Sequence, residues 1–155
     1  MGGAIKMRKI ISALLPVALL SFFLVAAIAA EKNAETATPL CPVTGKAINK
    51  NVSTDYHGGK LYFSSADCVK KFQDNVEKYA AKANLQLVVT GQARQTACPI
   101  MGKPVVSGKS VVVSGVKVDL CCNTCLKKIT KANPKEQLEM VFGKGFDKGY
   151  TVKKT

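Results

Sequence analysis

Four cysteines and a methionine fall within 28 residues of this chain: Cys98, Met101, Cys121, Cys122 and Cys125. Thiolate is the form of cysteine that binds metal and attacks disulfides, and a helix N-terminus favours it. Cys122-x-x-Cys125 and Cys121-x3-Cys125 each put two sulfurs on one helical turn. Thiolates joined by a thioether make a soft donor set, which selects Cu(I) over hard ions. Zinc is served by Cys98, Cys121 and Cys125 with one further ligand. These three are the expected metal ligands, and Cys122 and Met101 are the candidates for the remaining position. Two other chemistries use the same residues. In an oxidising compartment the cysteines form structural disulfides. Cys122-x-x-Cys125 is also a redox spacing, although the thioredoxin-like βαβ context is missing.

A poorer version of the pattern lies upstream. Cys41-Pro42-Val43-Thr44-Gly45-Lys46 recurs 57 residues later as Cys98-Pro99-Ile100-Met101-Gly102-Lys103, and Cys68-Val69-Lys70-Lys71-Phe72 recurs as Cys125-Leu126-Lys127-Lys128-Ile129. Ten of the 32 positions from Cys41 to Phe72 are identical at this offset, without a gap. The chain is therefore read as one unit written twice. The first copy keeps Cys41 and Cys68 but has Thr44, Ser64 and Ser65 where the second has Met101, Cys121 and Cys122. Cys41 and Cys68 are expected to form a disulfide staple or a weak second metal site. His57, the chain's one histidine, reads as an exposed turn residue.

The elements that must position these sulfurs are the same in both copies. Cys-Pro-x-x-Gly makes a tight turn, because proline sets φ and glycine permits positive φ. A hairpin follows, with Val52–Tyr56 and Leu61–Phe63 around His57-Gly58-Gly59-Lys60, and Val111–Val113 and Val116–Leu120 around Ser114-Gly115. A helix comes next. Ser64 or Ser65 is its expected cap in the first copy, and Val69, Phe72, Val76 and Tyr79 form its apolar stripe. In the second copy Asn133-Pro134 interrupts the helix and starts another turn through Met140. A short strand is expected over Leu85–Thr90. The fold class is thus α+β: two tandem small modules, each a cysteine knuckle, a β-hairpin and a C-terminal helix, in a treble-clef or zinc-ribbon-like arrangement. The expected boundaries are 1–30 for a signal peptide, 31–40 for a linker, 41–90 and 98–142 for the modules, 91–97 for the linker between them, and 143–155 for a loose basic tail. Units this small bury little surface and often need metals or disulfides.

Lys6, Arg8 and Lys9 precede an uncharged run from Ile10 to Ala30 that ends in small residues. This is the pattern of a secretory signal with cleavage near Ala29 or Ala30. The run is also long enough to act as an N-terminal membrane anchor if it is retained. The rest of the chain is expected outside the cytoplasm, in the periplasm or the extracellular space. The whole chain has 23 Lys and Arg against 10 Asp and Glu, a net charge of +13. Such a charge would favour nucleic acid, but export disfavours that partner. Attraction to anionic envelope surfaces remains. No Ser-His-Asp order, phosphate loop or dinucleotide fingerprint occurs, so no catalytic residue is assigned and a hydrolase is not expected, which leaves Cys122-x-x-Cys125 redox chemistry as the enzymatic alternative to binding.

Cys41-Pro42-Val43-x-Gly45, then Tyr56-x-Gly58-Gly59-Lys60-x-Tyr62-Phe63-Ser64-Ser65-x-x-Cys68, Lys71-Phe72 and Glu77-Lys78-Tyr79 together resemble the YHS domain, a relative of the TRASH-type heavy-metal-binding domains. The resemblance spans roughly 41–80 and 98–140. On it, the family's first cysteine falls on Cys98, its hairpin-end cysteine on Cys121 and its helix cysteine on Cys125. The second knuckle cysteine falls on Met101, a departure that counts against zinc and leaves copper open. In the first copy the corresponding positions are Thr44 and Ser64. The resemblance implies carriage, sensing or sequestration of a heavy-metal ion, copper or zinc, with a metal transporter or envelope protein as partner. The alternatives are a disulfide-stapled binding or scaffold module and a thiol–disulfide oxidoreductase-like protein.

Overall fold

The repeat in the sequence is a repeat in the backbone. In a computed structural model that describes residues 37–153, the N–H of Gly45 donates to the carbonyl of Cys41 (2.8 Å) and that of Cys41 to Lys46 (2.8 Å). At the second knuckle Gly102 donates to Cys98 (2.7 Å) and Cys98 to Lys103 (2.9 Å). Gly45 and Gly102 have φ of 69° and 67°, a region that L side chains avoid. Each knuckle leads into an antiparallel hairpin with a two-residue turn: β1 (Asn49–Tyr56) with β2 (Gly59–Phe63), and β4 (Ser110–Val113) with β5 (Val116–Asp119). His57 and Gly58, like Ser114 and Gly115, have positive φ. Two successive positive-φ residues match the right-handed strand twist. A nine-residue helix follows in each copy, α1 (Ala66–Asp74) and α3 (Asn123–Lys131).

Burial follows the same offset. Leu61, Phe63 and Phe72 are buried in the first copy, and Val118, Leu120 and Ile129 in the second. Each helix thus presses one face onto its hairpin, with its cysteine, Cys68 or Cys125, one turn above the buried Phe72 or Ile129.

The copies diverge after these helices. The first helix ends at Asn75, whose side chain caps a second helix, α2 (Val76–Val89). The strand expected over Leu85–Thr90 is the end of α2. Its apolar residues read as a strand by composition, yet Ala83 and Leu87 fall on one helical face and are fully buried. In the second copy Asn133 forms a capping box with Glu136 at α4 (Pro134–Leu138). A π-helical turn over Glu139–Gly143 and α5 (Phe146–Gly149) follow.

Two other expectations are corrected. The stretch 91–97, expected as a linker, contains β3 (Ala93–Gln95), and the tail expected to be loose supplies its partner, β6 (Tyr150–Val152). Composition hid this. Phe142, Phe146 and Tyr150 recur every four residues among the glycines and lysines, and all three are buried. Phe146 and Tyr150 stack with ring centroids 5.4 Å apart.

The described residues are α+β, with three two-stranded sheets and several short helices. Residues from both copies and the tail share one apolar core, and the described residues all belong to one compact unit. The expected leader and its cleavage site at Ala29 and Ala30 lie outside the described residues, within which no helix is long and apolar enough to cross a membrane.

Candidate metal centre

Three elements converge in the second copy. The knuckle supplies Cys98, the end of the β4–β5 hairpin supplies Cys121, and the first turn of α3 supplies Cys125. The three sulfurs lie within 4.8 Å of one another, with Cys121 and Cys125 at 3.7 Å. Sulfurs bound about 2.3 Å from one metal ion stand roughly 4 Å apart, so this cluster could hold an ion after small adjustments. Cys98 and Cys125 are buried and Cys121 is half-buried.

The surroundings divide the thiols electrostatically. Burial opposes a charge on Cys98, but the backbone N–H groups of Cys121, Met101 and Ile100 and the thiol of Cys121 bond to its sulfur and hold its pKa below the ordinary value. Burial and the neighbouring Cys122, Cys121 and Cys98 push Cys125 strongly up. Burial and Cys98 also push Cys121 up. In the metal-free chain Cys98 therefore gives up its proton more readily than Cys121 and Cys125, which hold theirs more tightly. A cation arriving there displaces those protons, so binding strengthens as pH rises.

Cys122 stands on the rim. It is the N-cap of α3 and its sulfur accepts the N–H of Cys125. Its Sγ lies 3.3 Å from that of Cys125. The N–H and thiol of Cys125 lower the pKa of Cys122 to about 7. Met101 contributes its backbone N–H to Cys98, and its side chain is 55% exposed. Of the five expected residues, three thus converge, Cys122 touches the group through Cys125, and Met101 leads out to solvent.

Two glycines that sequence reasoning passed over clamp the Cys98 knuckle. The carbonyl of Gly149 accepts the N–H groups of Thr96 (2.8 Å) and Ala97 (3.1 Å). A Cβ at Gly149 would sit 2.7 Å from Cα of Pro99, and one at Gly145 would sit 2.7 Å from the Pro99 carbonyl and against that of Met140. The aromatic spacing of the tail was the signal that could have revealed this contact.

The first copy holds the corresponding positions in a different chemistry. Thr44 Oγ1 and Ser64 Oγ are 3.1 Å apart. Ser64 Oγ lies 3.4 Å and Ser65 Oγ 3.3 Å from the sulfur of Cys68. Ser65 occupies the N-cap of α1, but its hydroxyl serves Cys68 rather than the helix backbone. Burial opposes a charge on Cys41, yet the hydroxyls and N–H groups of Thr44 and Ser64 lower its pKa to about 6. Cys41 and Cys68, expected as a staple or weak site, stand as two buried thiols. His57 is exposed at its hairpin tip, 4.2 Å from the Tyr56 ring by centroids.

Glutamine side chains hold both hairpins in place. Gln86 of α2 accepts the N–H of Tyr62 (2.7 Å) and donates to its carbonyl (2.8 Å) and to that of Leu40 (2.8 Å). Gln95 of β3 treats Asp119, the equivalent position of the second hairpin, in the same way, at 3.0 and 2.5 Å. Each amide thus stands in for a neighbouring strand. No family model, curated protein or solved structure matches the chain.

Proposed function

We propose that this chain is an exported heavy-metal-binding protein, built as two tandem treble-clef or zinc-ribbon-like modules, that carries, senses or sequesters a soft ion. The observation that supports this most is the approach of three sulfurs, from Cys98, Cys121 and Cys125, within 4.8 Å. Three thiolates satisfy Cu(I), whereas Zn(II) requires a fourth donor. Cys122, already 3.3 Å from Cys125, is better placed to supply it than the exposed Met101. Cu(I) is therefore the preferred cargo and Zn(II) the second. A metal transporter or envelope protein is the partner that fits this role.

The test is competition titration of the reduced chain with Cu(I) and Zn(II), repeated on the Cys98→Ser, Cys121→Ser and Cys125→Ser variants. Each variant is expected to lose most of the affinity of the unmodified chain, because metal binding depends on each deprotonated ligand. Micromolar or weaker binding of every thiophilic metal by the reduced chain overturns the reading. A second reading, thiol–disulfide exchange, draws on the 3.3 Å approach of Cys122 and Cys125. It requires a reversible Cys122–Cys125 bond in the native protein, which a thiol count before and after mild reduction detects.

A further inference from the structure

We propose that Cys41 and Cys68 form a second, separate site that takes one two-coordinate soft monovalent cation, Cu(I) or Ag(I), and excludes Zn(II). This inference goes beyond the Cys98 centre and does not depend on it.

The two knuckles share the same hydrogen bonds and the same glycine φ, and the two helices start at equivalent residues with equally extended caps. Cys41 and Cys68 therefore stand as Cys98 and Cys125 do, and those two sulfurs lie within 4.8 Å. Contacts inside the first copy agree. The hydroxyl of Thr44, in the Cys41 knuckle, lies 3.1 Å from that of Ser64, which in turn lies 3.4 Å from the sulfur of Cys68, so the knuckle and the helix cysteine meet across one hydroxyl.

The donor set then decides the ion. At the three remaining positions of the second copy's pattern stand Thr44, Ser64 and Ser65, whose neutral hydroxyls are poor ligands for soft ions. Zinc, which prefers four N or S donors, finds two. A d10 monovalent cation is content with two thiolates in line, and the complex keeps one negative charge. The pocket is built for that charge. Ser64 and Ser65 bond to the sulfur of Cys68, the Thr44 hydroxyl of the Cys41 knuckle lies 3.1 Å from that of Ser64, and both thiols are buried. A charge-assisted hydrogen bond to a buried anion is about twice as strong as a neutral one. The same hydroxyls that remove the zinc site thus favour an anionic two-thiolate complex.

The experiment is anaerobic titration of the fully reduced chain with Ag(I) and, separately, Zn(II). Cys41→Ser and Cys68→Ser are each expected to bind one Ag(I) fewer than the unmodified chain, with zinc stoichiometry unchanged. The Cys98→Ser/Cys125→Ser variant is expected to lose zinc yet keep the Cys41-dependent ion, and its Cu(I) form to give a two-coordinate copper absorption edge. Far-ultraviolet circular dichroism selects variants that are folded. Should the Cys98 centre bind nothing, the Cys41-dependent silver equivalent is still expected, so the two readings fail separately. Equal silver stoichiometry in the folded Cys41→Ser and unmodified chains overturns the inference. So does zinc binding that disappears in Cys41→Ser.

Discussion

Cys98 and Cys41 occupy the same turn, and Cys125 and Cys68 the same step of the same helix, but their neighbours differ. Around the first pair stand Cys121, Cys122 and Met101. Around the second stand Ser64, Ser65 and Thr44. What both copies retain is what holds the backbone: the knuckle glycine, the hairpin turn, and the buried pairs Leu61 and Val118, Phe63 and Leu120, Phe72 and Ile129. What they exchange are the side chains at the hairpin end and the helix cap, which touch the helix cysteine, and the knuckle residue, Thr44 or Met101. The frame does not rest on metal donors, because in the first copy hydroxyl–sulfur bonds occupy the same space. Donor chemistry and scaffold are thus separable in this fold, and the number of soft ligands can vary between copies while their geometry stays fixed.

That separability can be broken or sharpened by experiment. The largest effect is expected from transplanting donors. Replacing Ser64 and Ser65 together by cysteine gives the first copy four thiols, and the variant should bind a second zinc ion by titration. Failure of the folded variant to gain zinc would mean that the two frames are less alike than their hydrogen bonds indicate.

Equivalent core truncations come next. Phe72→Ala should cost about 3–5 kcal/mol and Ile129→Ala about 2–5 kcal/mol. Urea denaturation measures both. A single transition in each is expected, because both residues belong to one shared core. Two separated transitions would show that the copies unfold independently.

Smaller but local to one copy is Gly149→Ala. The new Cβ meets the backbone of Pro99, and overpacking of this kind costs about 1–3 kcal/mol. Metal affinity at Cys98 should fall while the Cys41 site is unaffected. Comparable losses at both sites would point to general destabilisation instead.

The glutamine pair offers a matched comparison. Removing either amide by alanine leaves a backbone N–H and C=O without partners, at about 1–3 kcal/mol for each buried group. Gln86 is buried and Gln95 only partly so. Gln86→Ala should therefore be the more destabilising of the two, as thermal melts would show.

The smallest change is at Tyr150, whose buried hydroxyl has no hydrogen-bond partner among the described residues. Burial, with a lesser push from Asp119, raises its pKa above the usual 10.0. A folded pKa raised in this way contributes stability that is fully present below pH 10 and is lost as pH climbs from there toward the folded value. Tyr150→Phe should leave neutral-pH stability within about 1 kcal/mol and move alkaline unfolding to higher pH. Unchanged alkaline unfolding would exclude Tyr150 as its cause.

Much of this was legible in the residues themselves. The 57-residue repeat, the His57-Gly58 and Ser114-Gly115 turns and the Asn133-Pro134 break all depend on contacts a few residues long, where local sterics and capping dominate. Cys98, Cys121 and Cys125 were legible as a group because the repeat carries each to an element end, where side chains converge. The end of α2 and the tail were not legible. Leu85–Val89 is apolar enough for either helix or strand, and only the hairpin and the Phe142 region, packed against it through Gln86 and Asn84, decide for helix. The β3–β6 pairing joins residues more than fifty positions apart, and no short-range pattern encodes such a partner. Local sequence is enough to set the two frames and the supply of thiols in each. Which thiols meet, that the tail closes on the Cys98 knuckle, and that Ser64 reaches both Thr44 and Cys68 are decided only in the tertiary structure, because these depend on distances set by packing across the whole core.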